Sequence, residues 1–176
     1  MRTRQCRSRT IRSTRVETTT NLLGITFTHF KRNPAVYAAM REDTSRIPTM
    51  LEEMLRYDGP VQMLFRHTTC DTELAGVRIP KGALVLPLLG AANHDPAKFK
   101  DAEKLVWNRA PKEIMSFGQG PHFCMGSFLS RMEARIALEQ LLDRFAELDP
   151  ISGSVEWMDS YFARGPKSLP VRFTAR

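Results

Sequence analysis

A glycine-rich segment that ends in a cysteine, directly before a long amphipathic stretch, constrains this chain more than any other feature. The segment runs from Phe117 to Gly126 as FGQGPHFCMG, with the cysteine at position 124. Glycines let backbone N–H groups approach a ligand closely, and the start of a helix favours a thiolate over a thiol. The pattern therefore predicts a ligand-bound, anionic sulfur. A buried structural cysteine in a tight turn is the alternative, and is the usual state of a lone cysteine.

The three cysteines of the chain, Cys6, Cys70 and Cys124, form no C-x-x-C pair. Structural zinc sites normally use four ligands in paired spacings, and small disulfide frameworks use an even set of cysteines. The count therefore argues against both kinds of site. It predicts a protein of the reducing cytoplasm in which at least one cysteine serves chemistry.

The net charge of +7 comes mostly from one end of the chain. Residues 1–15 contain six arginines and no acid, which leaves 20 basic and 19 acidic side chains in residues 16–176. The first segment lacks a core-forming period and is predicted to be a disordered tail. The near-neutral remainder does not favour nucleic-acid binding, and no apolar run reaches the roughly 18 residues that a membrane span needs.

Hydrophobic periodicity and turn residues predict a mainly α protein with small β-sheets. The predicted helices cover about 16–31, 34–41, 48–58 and 125–146, with Asn33 as an N-cap before Pro34. Strands are predicted at about 63–69, 73–79 and 83–88, with a turn at 80–82, and short strands follow at the end of the chain. The long irregular segment at 95–123 is the part of a compact domain that is usually functional.

The cysteine segment resembles the haem-binding signature of the cytochrome P-450 family, F-x-x-G-x-[HR]-x-C-x-G. All fixed positions are met, by Phe117, Gly120, His122, Cys124 and Gly126. The resemblance implies that residues 16–176 are the C-terminal, haem-ligating part of a P-450 domain of the soluble bacterial type. It implies haem b as the cofactor and the thiolate of Cys124 as its axial iron ligand.

The same resemblance implies further haem contacts from the segment and from one strand. The residue at His122 hydrogen-bonds a haem propionate, and the ring at Phe117 packs close to the sulfur. Gly118 and Gly126 belong to the same binding loop. Arg66 resembles the strand arginine that pairs with a propionate, since a guanidinium fork suits a carboxylate; a solvent-facing arginine is the alternative.

Glu53 and Arg56 match the E-x-x-R pattern of the family, and residues three apart share a helix face. The resemblance implies that this pair binds Arg109 in a structural cluster that holds the cysteine loop. An ordinary surface ion pair is the alternative. Glu17 and Thr18 resemble the acid–alcohol pair that delivers protons to iron-bound dioxygen, although the Ala-Gly that precedes this pair in the family is absent. His94 stands where the family has arginine, and we expect it to be a surface residue.

The implied activity is that of a haem-thiolate monooxygenase, which inserts one atom of dioxygen into a small organic substrate. Electrons would come from NAD(P)H through a ferredoxin or flavodoxin-type partner. Lys112 and Arg131 flank the haem loop and could meet an acidic partner, or could be solvated surface charges. Neither membrane nor nucleic acid is an expected partner.

The resemblance covers roughly the last two-fifths of a family member. A truncated, non-catalytic remnant with weak or no haem binding is therefore the alternative function. For residues 1–15, a wrong start, a frameshift or a disrupted gene is the favoured origin, and a transit peptide is the competing one. DNA binding by this arginine-rich segment is a third hypothesis, which predicts a steep dependence of affinity on salt.

Overall fold

The computed structural model describes residues 2–150 and 155–175, and gives the backbone alone for residues 2–16, 146–150 and 175. These residues form five α-helices and three two-stranded antiparallel sheets. The helices are α1 (Arg2–Arg32), α2 (Pro34–Glu42), α3 (Ile47–Asp58), α4 (Leu89–Asn93) and α5 (Ser127–Arg144). The strands are β1 (Arg66–His67), β2 (Thr72–Leu74), β3 (Val77–Ile79), β4 (Leu84–Val85), β5 (Phe145–Pro150) and β6 (Val171–Ala175). The prediction of a mainly α fold with small sheets is confirmed.

The first helix begins much earlier than the sequence predicted. The backbone of residues 2–15, for which composition predicted disorder, is helical and continuous with the helix expected from residue 16. Arginine is a good helix former, and neither glycine nor proline interrupts the chain before Gly24. Composition without a hydrophobic period excluded a core-forming segment, but it did not exclude helical backbone.

The boundary between α1 and α2 also differs in detail from the prediction. Pro34 occupies the first turn of α2, as expected, but the side chain of Asn33 does not cap that helix. Instead, its amide nitrogen donates a hydrogen bond to the carbonyl of His29, at 3.1 Å. Asn33 therefore satisfies the end of α1, where carbonyl groups lack helical partners.

The predicted strand at 73–79 is a hairpin of two strands. β2 and β3 pair antiparallel, with Leu74 opposite Val77. The turn lies at Ala75 and Gly76, which both have positive φ, 50° and 79°. Such a two-residue turn matches the twist of a hairpin. The regions predicted as strands at 63–69 and 83–88 are strands only at β1 and β4, which pair with each other.

The core lies where α1, α2, α3 and α5 pack together. Its fully or nearly fully buried side chains include Leu22, Ile25, Met40, Met50, Leu51, Leu138 and Leu142. Burying each such side chain stabilises the fold by roughly 1.5–3 kcal/mol. Phe99 and Ile114 extend this core from the long irregular segment. The irregular segment is therefore anchored in the core at two points, residues 99 and 114, before the chain reaches α5.

Candidate functional site

Cys124 lies just before α5, after a 3₁₀ turn formed by Gly120–His122. Its backbone N–H donates to the carbonyl of Phe117, at 3.0 Å, and its own carbonyl accepts from the N–H of Ser127, at 3.2 Å. The thiol is free and exposed. The loop is thus closed by its own backbone, and it presents the sulfur at the surface instead of sealing it among side chains.

Two glycines give this loop its shape. Gly118 and Gly120 have φ values of 69° and 72°, in the left-handed region that side chains disfavour. A Cβ at either position would meet nothing within 4 Å, so backbone conformation rather than crowding requires glycine there. A Cβ at Gly126 would lie 3.8 Å from the sulfur of Cys124, an ordinary contact distance. A side chain at position 126 would therefore contact the sulfur without a clash.

Exposed apolar side chains flank Cys124 in the sequence and continue along α5. Phe123 is 41% exposed, Met125 94% and Phe128 81%. Met132 and Ile136 continue the stripe at four-residue spacing along α5 and are also exposed. Most isolated surface residues of this kind need no explanation, but a contiguous apolar patch marks a binding surface. A soft sulfur ligand within an apolar surface fits an iron porphyrin.

The polar residues expected at the edge of such a group are exposed. His122 ends the 3₁₀ turn two residues before the cysteine. Arg66, on β1, donates to the carbonyl of Phe65, at 2.8 Å, and forms no ion pair with any residue that the structure describes. A guanidinium in this state can take an anionic partner without breaking an existing pair.

Glu17 and Thr18 lie on the less buried side of α1. Glu17 is exposed and Thr18 is half-buried, whereas the next residue, Thr19, is buried. The hydroxyl of Thr19 donates to Glu133 of α5, at 3.3 Å. Thr19 therefore joins the two helices, a role that the sequence did not single out, and the proton-delivery role of Glu17 and Thr18 stays a prediction.

The structure brings Glu53, Arg56 and Arg109 together. Arg56 binds Glu53 through two parallel contacts, Nε–Oε2 at 2.8 Å and Nη2–Oε1 at 2.9 Å. Nε of Arg109 lies 3.0 Å from the same carboxylate. Both members of the first pair are buried, so this is not the ordinary surface pair that the spacing alone would favour.

The side chain of Arg56 also binds backbone carbonyls at the end of α4 and in the irregular segment. It donates to the carbonyls of Asn93, Ala102 and Lys104, at 2.8, 2.9 and 3.0 Å. Glu53 accepts from the backbone N–H of Val106, at 2.9 Å. The cluster thus fixes the segment that leads into the cysteine loop.

A family model described as cytochrome P450 matches residues 15–169. The chain belongs to the cytochrome P450 family. This family binds haem, which agrees with the thiol, the apolar surface and the glycine loop. Over 159 residues the chain is 42% identical to cytochrome P450 107B1 of Saccharopolyspora erythraea. It is 38% identical over 158 residues to 6-deoxyerythronolide B hydroxylase of the same organism.

Solved P450 structures share the fold of this chain. Cytochrome P450 CYP109Q5 from Chondromyces apiculatus superposes with a TM-score of 0.87 at 41% identity. The matched region covers 91% of this chain and 42% of that structure. Cytochrome P450 107B1 is matched over 89% of this chain and 39% of its own length. The P450 chain thus spans about two-fifths of the relatives that it matches.

Asn93 is a structural residue of this P450 chain that the sequence reasoning passed over. Its side chain is buried, donates to the hydroxyl of Ser116 at 2.8 Å, and accepts from the N–H of Met115 at 2.7 Å. The Ser116 hydroxyl in turn donates to the carbonyl of Leu55, at 2.6 Å. This relay ties the entrance of the cysteine loop to α3. The segment at residues 92–96 resembles the corresponding segment of the family, but that resemblance assigned no role to Asn93, whose partners lie on distant elements.

Arg131 is not a freely solvated cation. It is half-buried, and its Nη2 donates to a carboxylate oxygen of Glu52, at 3.0 Å. Lys112 is exposed, and its contact with an acidic partner stays a prediction. His94, expected at the surface, is half-buried, and its ring Nδ1 lies 2.9 Å from the carbonyl of Gly90.

Within the described part of the chain, no helix combines the length and the apolar character needed to cross a bilayer. In the same residues, no three His, Cys, Asp or Glu side chains gather as a metal site. A single thiol is not such a cluster, and Cys124 stays the predicted iron ligand.

A second, partly buried charge network lies at the C-terminal end of α3. The carboxylate of Asp58 accepts from Nε2 of His29, at 3.0 Å, and from Nε of Arg164, at 2.6 Å. Burial alone would raise the pKa of Asp58. The hydrogen bond from His29 and the positive charge of Arg164 outweigh burial, and they hold the pKa below its usual value of 3.8. The ionised form of Asp58 is therefore the form that the fold stabilises.

We expect Asp58→Asn to destabilise the chain by about 1–3 kcal/mol at neutral pH, because two donors lose a charged acceptor. The pKa of Asp58 is lower in the folded chain, so its contribution is complete above the unfolded pKa of about 4 and disappears as the pH falls through the folded value. Urea unfolding followed by circular dichroism between neutral pH and about pH 3 measures both effects. Asp159→Asn, at an exposed carboxylate, is the matched control. Equal losses in the two variants would contradict this assignment.

Proposed function

We propose that this chain forms the haem-ligating part of a haem-thiolate monooxygenase, in which the thiolate of Cys124 would hold the iron of haem b. One observation carries the proposal. A free, exposed thiol lies at the end of a loop that contains every fixed residue of the P450 signature, with Gly118 and Gly120 in left-handed conformations. The bound haem supplies the activation of dioxygen, of which one atom enters an organic substrate and the other becomes water.

Each residue of the loop has a distinct part in this proposal. Cys124 binds the iron through its sulfur, and the helix start behind it stabilises the negative charge. His122 and Arg66 orient the group by donating to its two carboxylates. Phe117 and Gly126 line the surface beside the sulfur. On α1, the Glu17 carboxyl group would take up protons from solvent and pass them on through the Thr18 hydroxyl to the reaction.

The partners of the proposed enzyme follow from its reaction. The substrate is a small organic molecule, in line with relatives such as 6-deoxyerythronolide B hydroxylase. Electrons come from NAD(P)H through a ferredoxin or a flavodoxin-type protein. Exposed Lys112, close to the haem loop in sequence, is a contact that an acidic donor protein could use.

A specific observation also favours the second candidate, a remnant that binds haem weakly or not at all. Met125 and Phe128, close to Cys124 in the chain, are almost fully exposed. Binding pockets usually bury most of the surface of their ligand. The open surface around Cys124 buries less, and this lowers the affinity expected for haem.

Reconstitution distinguishes the two candidates. The full chain is mixed with haem, reduced and exposed to carbon monoxide, and the Soret band is recorded. A thiolate-type band supports a haem-thiolate site, whereas a spectrum equal to that of free haem favours the remnant. Turnover of an organic substrate with an added electron-donor protein then tests whether the chain is an enzyme by itself.

We expect Arg66→Ala to weaken haem affinity by roughly tenfold or more, because a hydrogen bond between charged groups contributes about 1.5–3 kcal/mol. Arg66→Lys keeps the charge but loses the fork, and should fall between wild type and Arg66→Ala. Haem titration followed at the Soret band measures the affinities. Arg78→Ala, on the exposed face of β3, removes the same charge elsewhere and should leave the affinity unchanged. If both arginine-to-alanine variants lose affinity equally, Arg66 does not contact the haem.

A further inference from the structure

Arg131 connects three separate parts of the chain. It lies on the second turn of α5, and its guanidinium carbon is 4.3 Å from the ring centroid of Phe117 in the cysteine loop. The same guanidinium binds Glu52 of α3 through two contacts, from Nη2 at 3.0 Å and from Nε. A cation this close to an aromatic face is attracted to the ring. The carboxylate fixes the guanidinium plane, because the pairing is bidentate.

Glu53, next to Glu52 on α3, fixes the segment that precedes the cysteine loop. Glu53 binds Arg56 and Arg109 and thereby fixes the irregular segment that leads toward the loop. Glu52 binds Arg131 and, through that residue, reaches Phe117. Two neighbouring carboxylates of α3 therefore hold the segment before the cysteine loop and, through Arg131, the first residue of the loop itself. The Glu52 contact is half-buried, with 32% and 26% of the two side chains exposed, so it is not an ordinary solvated pair.

Phe117 is coupled directly to the cysteine. Its carbonyl accepts the hydrogen bond from the N–H of Cys124, and its ring lies 6.4 Å from that of Phe123. A shift of Phe117 would therefore displace the backbone that carries the thiol. The side chain that contacts the Phe117 ring from α5 is in a position to control the placement of the sulfur.

We propose that Arg131, oriented by Glu52, is a positioning residue that fixes Phe117 and so sets the placement of the Cys124 thiolate. The proposal rests on the proposed function for its effect on haem, but not for its effect on the loop. A guanidinium without its carboxylate is free to rotate off the ring, so both members of the pair are required. Lysine would keep the charge near Phe117 but could not keep the bidentate contact.

The first arm of the test uses the haem-free chain. Hydrogen exchange of the peptide covering residues 117–124 is measured in wild type, Arg131→Leu, Glu52→Gln and Arg131→Lys. We expect exchange to rise about tenfold in Arg131→Leu and less in the other two variants, as the contact with Phe117 is lost. Arg135→Leu is the matched control, because Arg135 lies one turn further on α5 and pairs with Glu139. Equal exchange in the Arg131 and Arg135 variants would overturn the proposal.

The second arm uses the haem-loaded chain. A displaced sulfur should broaden or diminish the thiolate-type Soret band in Arg131→Leu, and Arg131→Lys should restore part of it. Unfolding in urea is measured in parallel, because general destabilisation would affect α3 and α5 as well as the loop. If wild type gives no thiolate band, the proposed function fails, yet the exchange arm still decides the role of Arg131. Local exchange that rises while the band is unchanged would show that Arg131 orders the loop without placing the sulfur, and would overturn the proposal.

Discussion

Replacing Cys124 with alanine is expected to abolish the thiolate-type Soret band and to weaken haem binding on the order of 100-fold or more. Loss of residues that merely orient a metal ligand already costs about 10–100-fold, so loss of the ligand itself should cost at least as much. Cys124→His offers a sharper result, because imidazole can bind iron without sulfur. That variant should retain more haem than Cys124→Ala while lacking the thiolate spectrum.

Cys70 provides the matched control for both variants. It is a free and exposed cysteine, like Cys124, but it lies outside the glycine loop. Cys70→Ala should keep the wild-type spectrum and affinity for haem. All proteins in this comparison carry Cys6→Ala, so that Cys70 and Cys124 are the two remaining thiols. If the thiolate band survives in Cys124→Ala and vanishes in Cys70→Ala, the iron ligand is Cys70, and our assignment to Cys124 is wrong.

The second large effect is expected at the buried cluster of α3. Glu53→Gln leaves Arg56 and Arg109 without their shared carboxylate, and breaking a buried pair from one side costs about 3–5 kcal/mol. Domains are stable by only about 5–15 kcal/mol in total, so a chain of this size should lose much of its folded population. The free energy of unfolding in urea, followed by circular dichroism, measures the loss. Glu113→Gln, at an exposed carboxylate paired with Lys98, should produce no measurable change.

A double variant separates the two roles of the cluster. If the cluster stabilised the fold through charge pairing alone, the double variant Glu53→Met with Arg56→Met would be more stable than either single variant, since an apolar pair can replace a buried ion pair. Arg56, however, also donates to the backbone carbonyl of Asn93 at the end of α4 and to two carbonyls of the irregular segment. We therefore expect the double variant to stay as unstable as Arg56→Met alone. Recovery would show that these carbonyl contacts contribute little.

Local patterns predicted the helices better than the strands. α2 and α3 were predicted almost to their ends, because proline and apolar spacing act within one segment. The hairpin of β2 and β3 was missed, since alanine at a positive φ is uncommon and the turn signal at 80–82 was stronger. The helical backbone of residues 2–15 differs from the predicted disorder for another reason, because the absence of an apolar face does not exclude helical backbone.

The residues of the candidate site also differ in how far the sequence could predict them. Cys124 and its glycines form a contiguous motif, and Glu53 and Arg56 are three residues apart, so the sequence could reveal them directly. The pairing of Arg131 with Glu52 spans 79 residues of the chain, and the bond between Asn93 and Ser116 spans 23. Neither contact leaves a spacing signal within one element. Single-residue contacts between distant elements depend on the packing of helices, which one sequence does not show.

The adjacency of Glu52 and Glu53 limits how the length of this chain can vary. Each residue advances an α-helix by about 100°, so one inserted residue within α3 between these carboxylates and Arg56 would break the pair in register. The same insertion would turn Glu52 and Glu53 relative to the apolar face that anchors the helix. By contrast, the side chains of β2 and β3 are mostly exposed, and the two strands pair only with each other among the described strands. Insertions and deletions should therefore be tolerated at the tip of this hairpin and excluded from α3.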